Sequence, residues 1–386
     1  MSTPVPDPAP PAEPARAGGI PGGRRQGVWL LVGLAAATIT AFGMAGIGSI
    51  LAPVLLALVL TICVHPVRRW LEKHGTPRGL ATGSVVLVVF VLLAAFVVVL
   101  VIAFAQFATM LPRYASQLAQ LGQQLGDWLA GIGIGQQQVQ QIVSGFDPSQ
   151  LLTVITGFLG GAFSIVTSLV IVLTMLILMA ADAGYAPTVL RQLGGTKPEL
   201  VRALNGFAGG VRRYMVVTTV LGVVQGVING VALWLLGVPA ALLWAMLSFL
   251  CSFIPNVGYF IAIIPPLVFG YFTGGWGTVI AIIVIYGLIN AVVQSIIQPK
   301  VVGNAVALSQ TLTFFSVLFW AIVIGPIGAI LAVPLTLLVR AVLVDADPGA
   351  SAWRPAIGDL AGTKAIMKEE TAARKAARHP DPAPPE

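Results

Sequence analysis

Between Glu199 and Asp345 the chain contains no acidic residue. The only cations in that stretch are Arg202, Arg212, Arg213, Lys300 and Arg340. A water-soluble domain is about 25% charged in composition and keeps that charge on its surface, so this segment cannot be the core of one. It reads as protein dissolved in lipid, where a charge at mid-bilayer costs roughly 2.5–3.5 kcal/mol on insertion scales. The same absence restricts mechanism. A carrier that moves protons or sodium through membrane-embedded carboxylates has none here to use. The chain as a whole is 57% hydrophobic and 9% charged over 386 residues, enough for several spans of about 20 residues.

Composition then divides the chain. Residues 1–27 are rich in Pro, Ala and Gly and are expected to be a disordered cytoplasmic segment. The apolar run starts only at Val28, behind an acidic, proline-bearing lead, so no signal peptide is expected. A transmembrane permease domain is expected over 28–344 and a charged cytoplasmic tail over 345–386. Apolar blocks fall at 28–46, 48–64, 80–105, 151–180, 214–236, 240–273, 277–297 and 309–344. The fold class is therefore all-α, a polytopic helical membrane protein of about eight apolar blocks. Residues 106–150 differ. Leu111, Leu118, Leu121, Leu125 and Leu129 recur at three and four among glutamines, the period of an amphipathic helix, and the segment has one cation, Arg113. It is expected outside, lying on or just above the bilayer.

Cations number three in 1–27, four in 65–79, five in 181–213 and six in 345–386. By the positive-inside rule both termini are cytoplasmic. Blocks 240–273 and 309–344 are too long for one simple span. They break at Ile254-Pro255-Asn256-Val257-Gly258 and at Gly325-Pro326-Ile327-Gly328. If each is a hairpin that enters and leaves on one side, Lys300 falls inside; if all eight blocks simply cross, it falls outside. The two breaks echo one another at an offset of 70, with Gly258 over Gly328 and Pro265 one residue off Pro334. Paired interruptions in membrane segments leave backbone groups that only a cavity or other protein can satisfy, and they point to transporter binding sites. Ordinary kinks are the competing reading.

Amides form the second candidate set. Asn290, Gln294 and Gln298 are spaced by four and run into Pro299 and Lys300, and Gln225 and Asn229 make a second pair at i, i+4. An amide buried without a partner costs roughly 2–7 kcal/mol. These groups therefore bond between helices or line a path for a neutral, hydroxyl-bearing solute. The candidate solute path comprises Pro255, Asn256, Gly258, Asn290, Gln294, Gln298, Pro299, Gly325, Gly328 and Pro334, with Gln225 and Asn229 as secondary members.

No catalytic set, phosphate loop or ATP-binding domain is visible, so no enzymatic activity is expected. His65, His74 and His379 share no ligand spacing and Cys63 and Cys251 lie apart in apolar runs, so neither a metal nor a cofactor is expected. The cations sit at the edges of apolar runs rather than on a polar folded surface, which argues against nucleic acid as a partner. The partners expected are the lipid bilayer and a small-molecule solute; homo-oligomerisation is left open.

The breaks carry a resemblance. Ile254-Pro255-Asn256-Val257-Gly258, then Ile261 to Pro265, then Gln298-Pro299-Lys300-Val301-Val302-Gly303, then Gly325 to Pro334, resemble the autoinducer-2 exporter family of bacterial permease-like membrane proteins. So does Pro66-Val67-Arg68-Arg69-Trp70-Leu71-Glu72-Lys73-His74-Gly75. The family usually has an aromatic where Asn256 stands and a His-Pro pair where Ser309-Gln310 stand. The resemblance implies a transporter in the bacterial inner membrane, exporting a small polar solute such as autoinducer-2, or exchanging sodium or lithium for protons. A membrane scaffold or regulator that moves nothing is the reading from another class.

Overall fold

In the computed structural model the described residues are 23–133, 160–297, 308–357 and 360–378, with isolated positions at 135, 137–139, 149, 153 and 157. They are helical, with no strand among them. The chain divides into two compact units, 1–46 and 47–386. The first holds α1 (Gly23–Gly46), which starts a turn before the expected boundary at Val28.

The second unit opens with α2 (Gly48–Lys73) and α3 (Arg78–Met110). A helical turn at Leu111–Tyr114 leads into α4 (Ala115–Gly131). Then come α5 (Ala162–Asp182), α6 (Ala186–Thr196) and α7 (Pro198–Leu235). Next are α8 (Ala241–Cys251), α9 (Gly258–Asn290), α10 (Gln310–Ile330) and α11 (Ala332–Arg340). A tail helix, α12 (Leu360–Arg378), follows. Among the described residues six helical stretches are long and apolar enough to cross a membrane. Helix α2 carries the cationic sequence from 65 to Lys73, and α7 carries that from 198 to 213, as continuous helix.

Two helices are folded back on themselves. In α9, Gly274 (φ −142°) and Gly275 (φ 60°, ψ −154°) leave the helical region. A Cβ on Gly270 would lie 2.5 Å from Ile282 Cδ1, and one on Gly287 would lie 3.8 Å from the Tyr259 hydroxyl. Residues this far apart in sequence meet only if arms 258–273 and 276–290 run antiparallel. In α10, Ile324 (φ −128°) and Gly325 (φ 75°, ψ −159°) do the same. Trp320 Nε1 donates to Thr336 Oγ1 at 3.1 Å across that fold. Both turns need a residue at positive φ with extended ψ, a region only glycine occupies without strain.

Helix α8 has 11 residues and rises about 17 Å at 1.5 Å per residue, well short of a hydrocarbon core of about 30 Å. It turns at 252–257 and returns as the first arm of α9. This is the expected hairpin over 240–273. The second hairpin pairs 310–323 with 326–345, its turn falling at Ile324–Gly325, one residue earlier than the sequence suggested. The two tips point in opposite directions. Tyr214 OH donates to Phe253 O (3.3 Å), so the first tip lies by the N-terminal half of α7. Arg212 Nε donates to Ile62 O (3.1 Å), which aligns that part of α7 with the C-terminal half of α2. The second tip lies at the other end of α2, where a Cβ on Gly48 would be 3.8 Å from Ile324 Cα.

Two apolar clusters hold the unit together. Ala57, Val86, Val172, Leu176 and Ala180 join α2, α3 and α5. Phe107, Leu118, Leu233, Trp244, Phe269 and Tyr286 join α3, α4, α7, α8 and both arms of α9. Leu118 on α4 is 2% exposed. The amphipathic helix expected to lie on the bilayer therefore turns its apolar face onto aromatic side chains of the protein, where Phe107 stacks edge-on against Trp244 and Phe269.

Candidate functional site

The polar groups of the apolar region converge where the first hairpin meets α7. The buried face of α7 reads Tyr214, Thr218, Gly222, Gln225, Gly226, Asn229, Leu233, steps of three and four that keep one side of a helix inward. Glycine makes close approach possible there. A Cβ on Gly226 would stand 2.9 Å from Ala245 O, one on Gly230 would stand 2.7 Å from Ala245 Cβ, and one on Gly222 would overlap Ser252 Oγ. Hairpin and α7 backbones are thus in near contact, and the neighbouring amides of α7 are pressed toward the hairpin.

Asn229 is fully buried. Its Nδ2 donates to Ser248 Oγ at 3.3 Å, and Ser248 Oγ donates to Tyr286 OH at 3.4 Å. This chain ties α7 to α8 and to the second arm of α9. Asn229 Oδ1 and Asn290 Oδ1 are buried and accept no hydrogen bond among the described residues. A small cavity lies alongside, lined by Thr218, Gln225, Ser248, Ser252, Gly258 and Asn290 among others. Its volume is about 390 Å³ with its open mouth included. Its interior has room for about one water molecule, so the site is closed in this conformation.

The two sequence breaks have different fates. Gly258 sits where a Cβ would overlap Cys251 O, and Gly328 where it would overlap Trp320 O. Each is the point of closest crossing in its hairpin, seven residues after its contact in the first and eight in the second, so their correspondence is structural. Asn256 takes the left-handed conformation (φ 65°) at the tip, a conformation asparagine tolerates better than most residues. It is exposed, and Pro255 is half-buried beside it. Gly325, Gly328 and Pro334 belong to the second hairpin and do not line the cavity. Asn290 ends the regular part of α9, and 291–297 continue as a wider turn with i to i+5 bonding, a feature frequent at functional sites. Gln294 lies in that turn. Gln298, Pro299 and Lys300 lie outside the described residues.

The sequence reading missed Thr218, Ser248, Ser252 and Tyr286. A signal existed for the first: Thr218, Gly222, Gln225 and Asn229 repeat at the helical period. Ser248 and Ser252 are also four apart, but serine inside an apolar helix commonly bonds its own backbone, as Ser252 also does here to Phe249 O (2.7 Å).

Three carboxylates are held by arginine. Glu72 accepts from Arg68 Nε at 2.9 Å, Glu199 pairs with Arg202, and Asp345 lies 3.2 Å from both Arg340 and Arg354. Among the described residues no group of His, Cys, Asp and Glu has the arrangement of a metal site.

Comparison with known proteins agrees with this architecture. The family described as AI-2E family transporter matches residues 28–346. The AI-2 transport protein TqsA of Escherichia coli strain K12 is 26% identical over 325 residues, 84% of this chain and 94% of that protein. YhhT of the same strain, named only provisionally as a transport protein, is 27% identical over 312 residues, 81% of this chain and 89% of its own length. A provisionally named transport protein of Haemophilus influenzae is 28% identical over 339 residues, covering 86% and 96%.

Proposed function

The chain belongs to the AI-2E transporter family, and from that premise we propose that it exports a small, neutral, hydroxyl-bearing organic solute across the bacterial inner membrane. The observation that carries this reading is the cavity between α7 and the first hairpin. Its polar lining is made of amides and hydroxyls, and beside it two buried amide oxygens lack donors. An unpaired buried acceptor costs about 1–3 kcal/mol. A hydroxyl of a passing solute relieves that cost by donating to it, whereas an anion has no proton to donate and leaves both oxygens unsatisfied. The name of the relative TqsA supplies the specific candidate, autoinducer-2, and both termini are assigned to the cytoplasm on the charge asymmetry. In the closed site the first hairpin must part from α7 before a solute enters.

Cation–proton exchange finds less support. Of the two carboxylates that could serve it, Glu199 is already paired with Arg202, and Asp182, at the end of α5, does not line the cavity. Proteoliposomes containing the purified protein test the proposal directly. Labelled autoinducer-2 or a comparable furanosyl polyol should equilibrate faster than in protein-free vesicles, and unlabelled solute on the far side should drive counterflow. Cation-driven pH changes with no solute flux would replace this reading with exchange, and absence of both would leave a scaffold.

A further inference from the structure

A second cavity opens at the far side of the bundle, between α2, α3 and α5. Its volume is about 1640 Å³ with its open side included. Its walls change character along their length. On α3 the lining runs from Arg78 and Gly79 through Gly83 to Leu87, and on the facing side from Tyr185, in the turn after α5, back to Ile177 on α5. Basic and polar groups therefore sit at one end and bare apolar side chains at the other. Leu87 is 60% exposed and Ile177 51% exposed.

The basic end is built rather than incidental. Arg68 is 9% exposed. Its Nη1 donates to Ala180 O at 2.7 Å and its Nε donates to Glu72 Oε1 at 2.9 Å, which fixes the guanidinium across the groove. The Arg68 charge is balanced by Glu72. Glu72 also feels the charge of Arg78, so two guanidinium groups face one carboxylate and the end of the groove keeps a net positive charge. Arg78 is also the first residue of α3, whose free N–H groups add partial positive charge at the same place. The width comes from glycine: a Cβ on Gly79 or Gly83 would meet nothing within 4 Å.

We propose that this groove is a binding site for an anionic phospholipid, with the phosphate between Arg68 and Arg78 and an acyl chain along Gly83, Leu87 and Ile177. The charge asymmetry decides the class of ligand. A basic pocket between membrane helices on the cation-rich side suits an anionic headgroup, and the apolar length below it matches nothing in a small free anion.

The test uses the purified full chain in detergent, titrated with phosphatidylglycerol or phosphatidylcholine and read by native mass spectrometry. Wild type should retain phosphatidylglycerol in preference to phosphatidylcholine. Arg78→Gln should weaken phosphatidylglycerol retention about fivefold, the effect of one basic residue at a lipid surface, and leave phosphatidylcholine unchanged. Gly83→Leu should reduce both lipids, because the new side chain projects into the groove from a position where a Cβ meets no protein atom within 4 Å. Equal retention of the two lipids by wild type would reduce the groove to ordinary lipid contact. Unchanged phosphatidylglycerol retention in both variants, or its displacement by millimolar inorganic phosphate, would overturn the proposal. So would a change of oligomer mass in Gly83→Leu with lipid retention intact, which would seat a second copy of the chain there.

Discussion

Asn290 keeps a buried amide oxygen that no donor among the described residues satisfies, and such a group is maintained against its own cost to stability. Replacing it with leucine removes that cost, about 1–3 kcal/mol for an unsatisfied acceptor, along with whatever the amide offers a solute. Asn290→Leu should therefore melt no lower than wild type while transport falls several-fold. Equal transport by the two proteins would make Asn290 a packing residue. The crossing glycines behave differently. Gly258→Leu and Gly328→Leu each drive a side chain into a backbone carbonyl, of Cys251 or Trp320. Both variants should insert in the membrane and transport nothing; normal flux from both would show that the hairpin crossings have no part in the cycle.

At the scale of elements, the junction of α7 with the first hairpin rests on Gly222, Gly226 and Gly230. Gly226→Ala places a methyl 2.9 Å from a carbonyl oxygen, and overpacking of this kind costs about 1–3 kcal/mol. Gly209→Ala on the same helix meets nothing within 4 Å and should not lower stability. Thermal unfolding of the pair in one detergent reads the difference, and equal melting temperatures would mean that the hairpin yields freely. Much of this element was legible in the sequence. Block 240–273 was too long to cross once, its Pro-Asn-Val-Gly interruption marked the tip, and Gln225 and Asn229 marked the inward face of α7. The partner of Asn229 was not legible, because Ser248 sits in an unbroken apolar run whose period favours no face. The inward packing of α4 escaped for a related reason. An amphipathic pattern states that one face is covered, but not whether lipid or the rings of Phe107 and Phe269 cover it.

For the whole molecule, contacts bring the cationic sequence to one end. Arg68 reaches the end of α5 at Ala180, and Arg212 reaches α2 at Ile62. The second arm of α9 runs back toward that same end as far as Ile297, and Lys300 is predicted to follow it there. Lys300→Cys, in a Cys63- and Cys251-free background, should resist impermeant thiol reagents added outside intact cells, as should cysteines placed at Ala9 or Ala383. Ready labelling of the Lys300 position would require the second arm of α9 to end on the opposite face. Residues 240–297 and 308–339, which include the first hairpin, the second as far as the end of its return arm, and the cavity's share of α8 and α9, contain no Asp, Glu, Lys or Arg; Arg340 and Asp345, where that arm ends, are paired with one another. An elementary charge carried through the membrane field is worth about 2.3 kcal/mol per 100 mV, and these moving parts have none to carry beyond the peptide dipoles of their short helices. Flux of a neutral solute should therefore be nearly indifferent to voltage. A potassium diffusion potential imposed with valinomycin should leave the rate almost unchanged, and a steep response would mean that a charged group crosses the field with the solute.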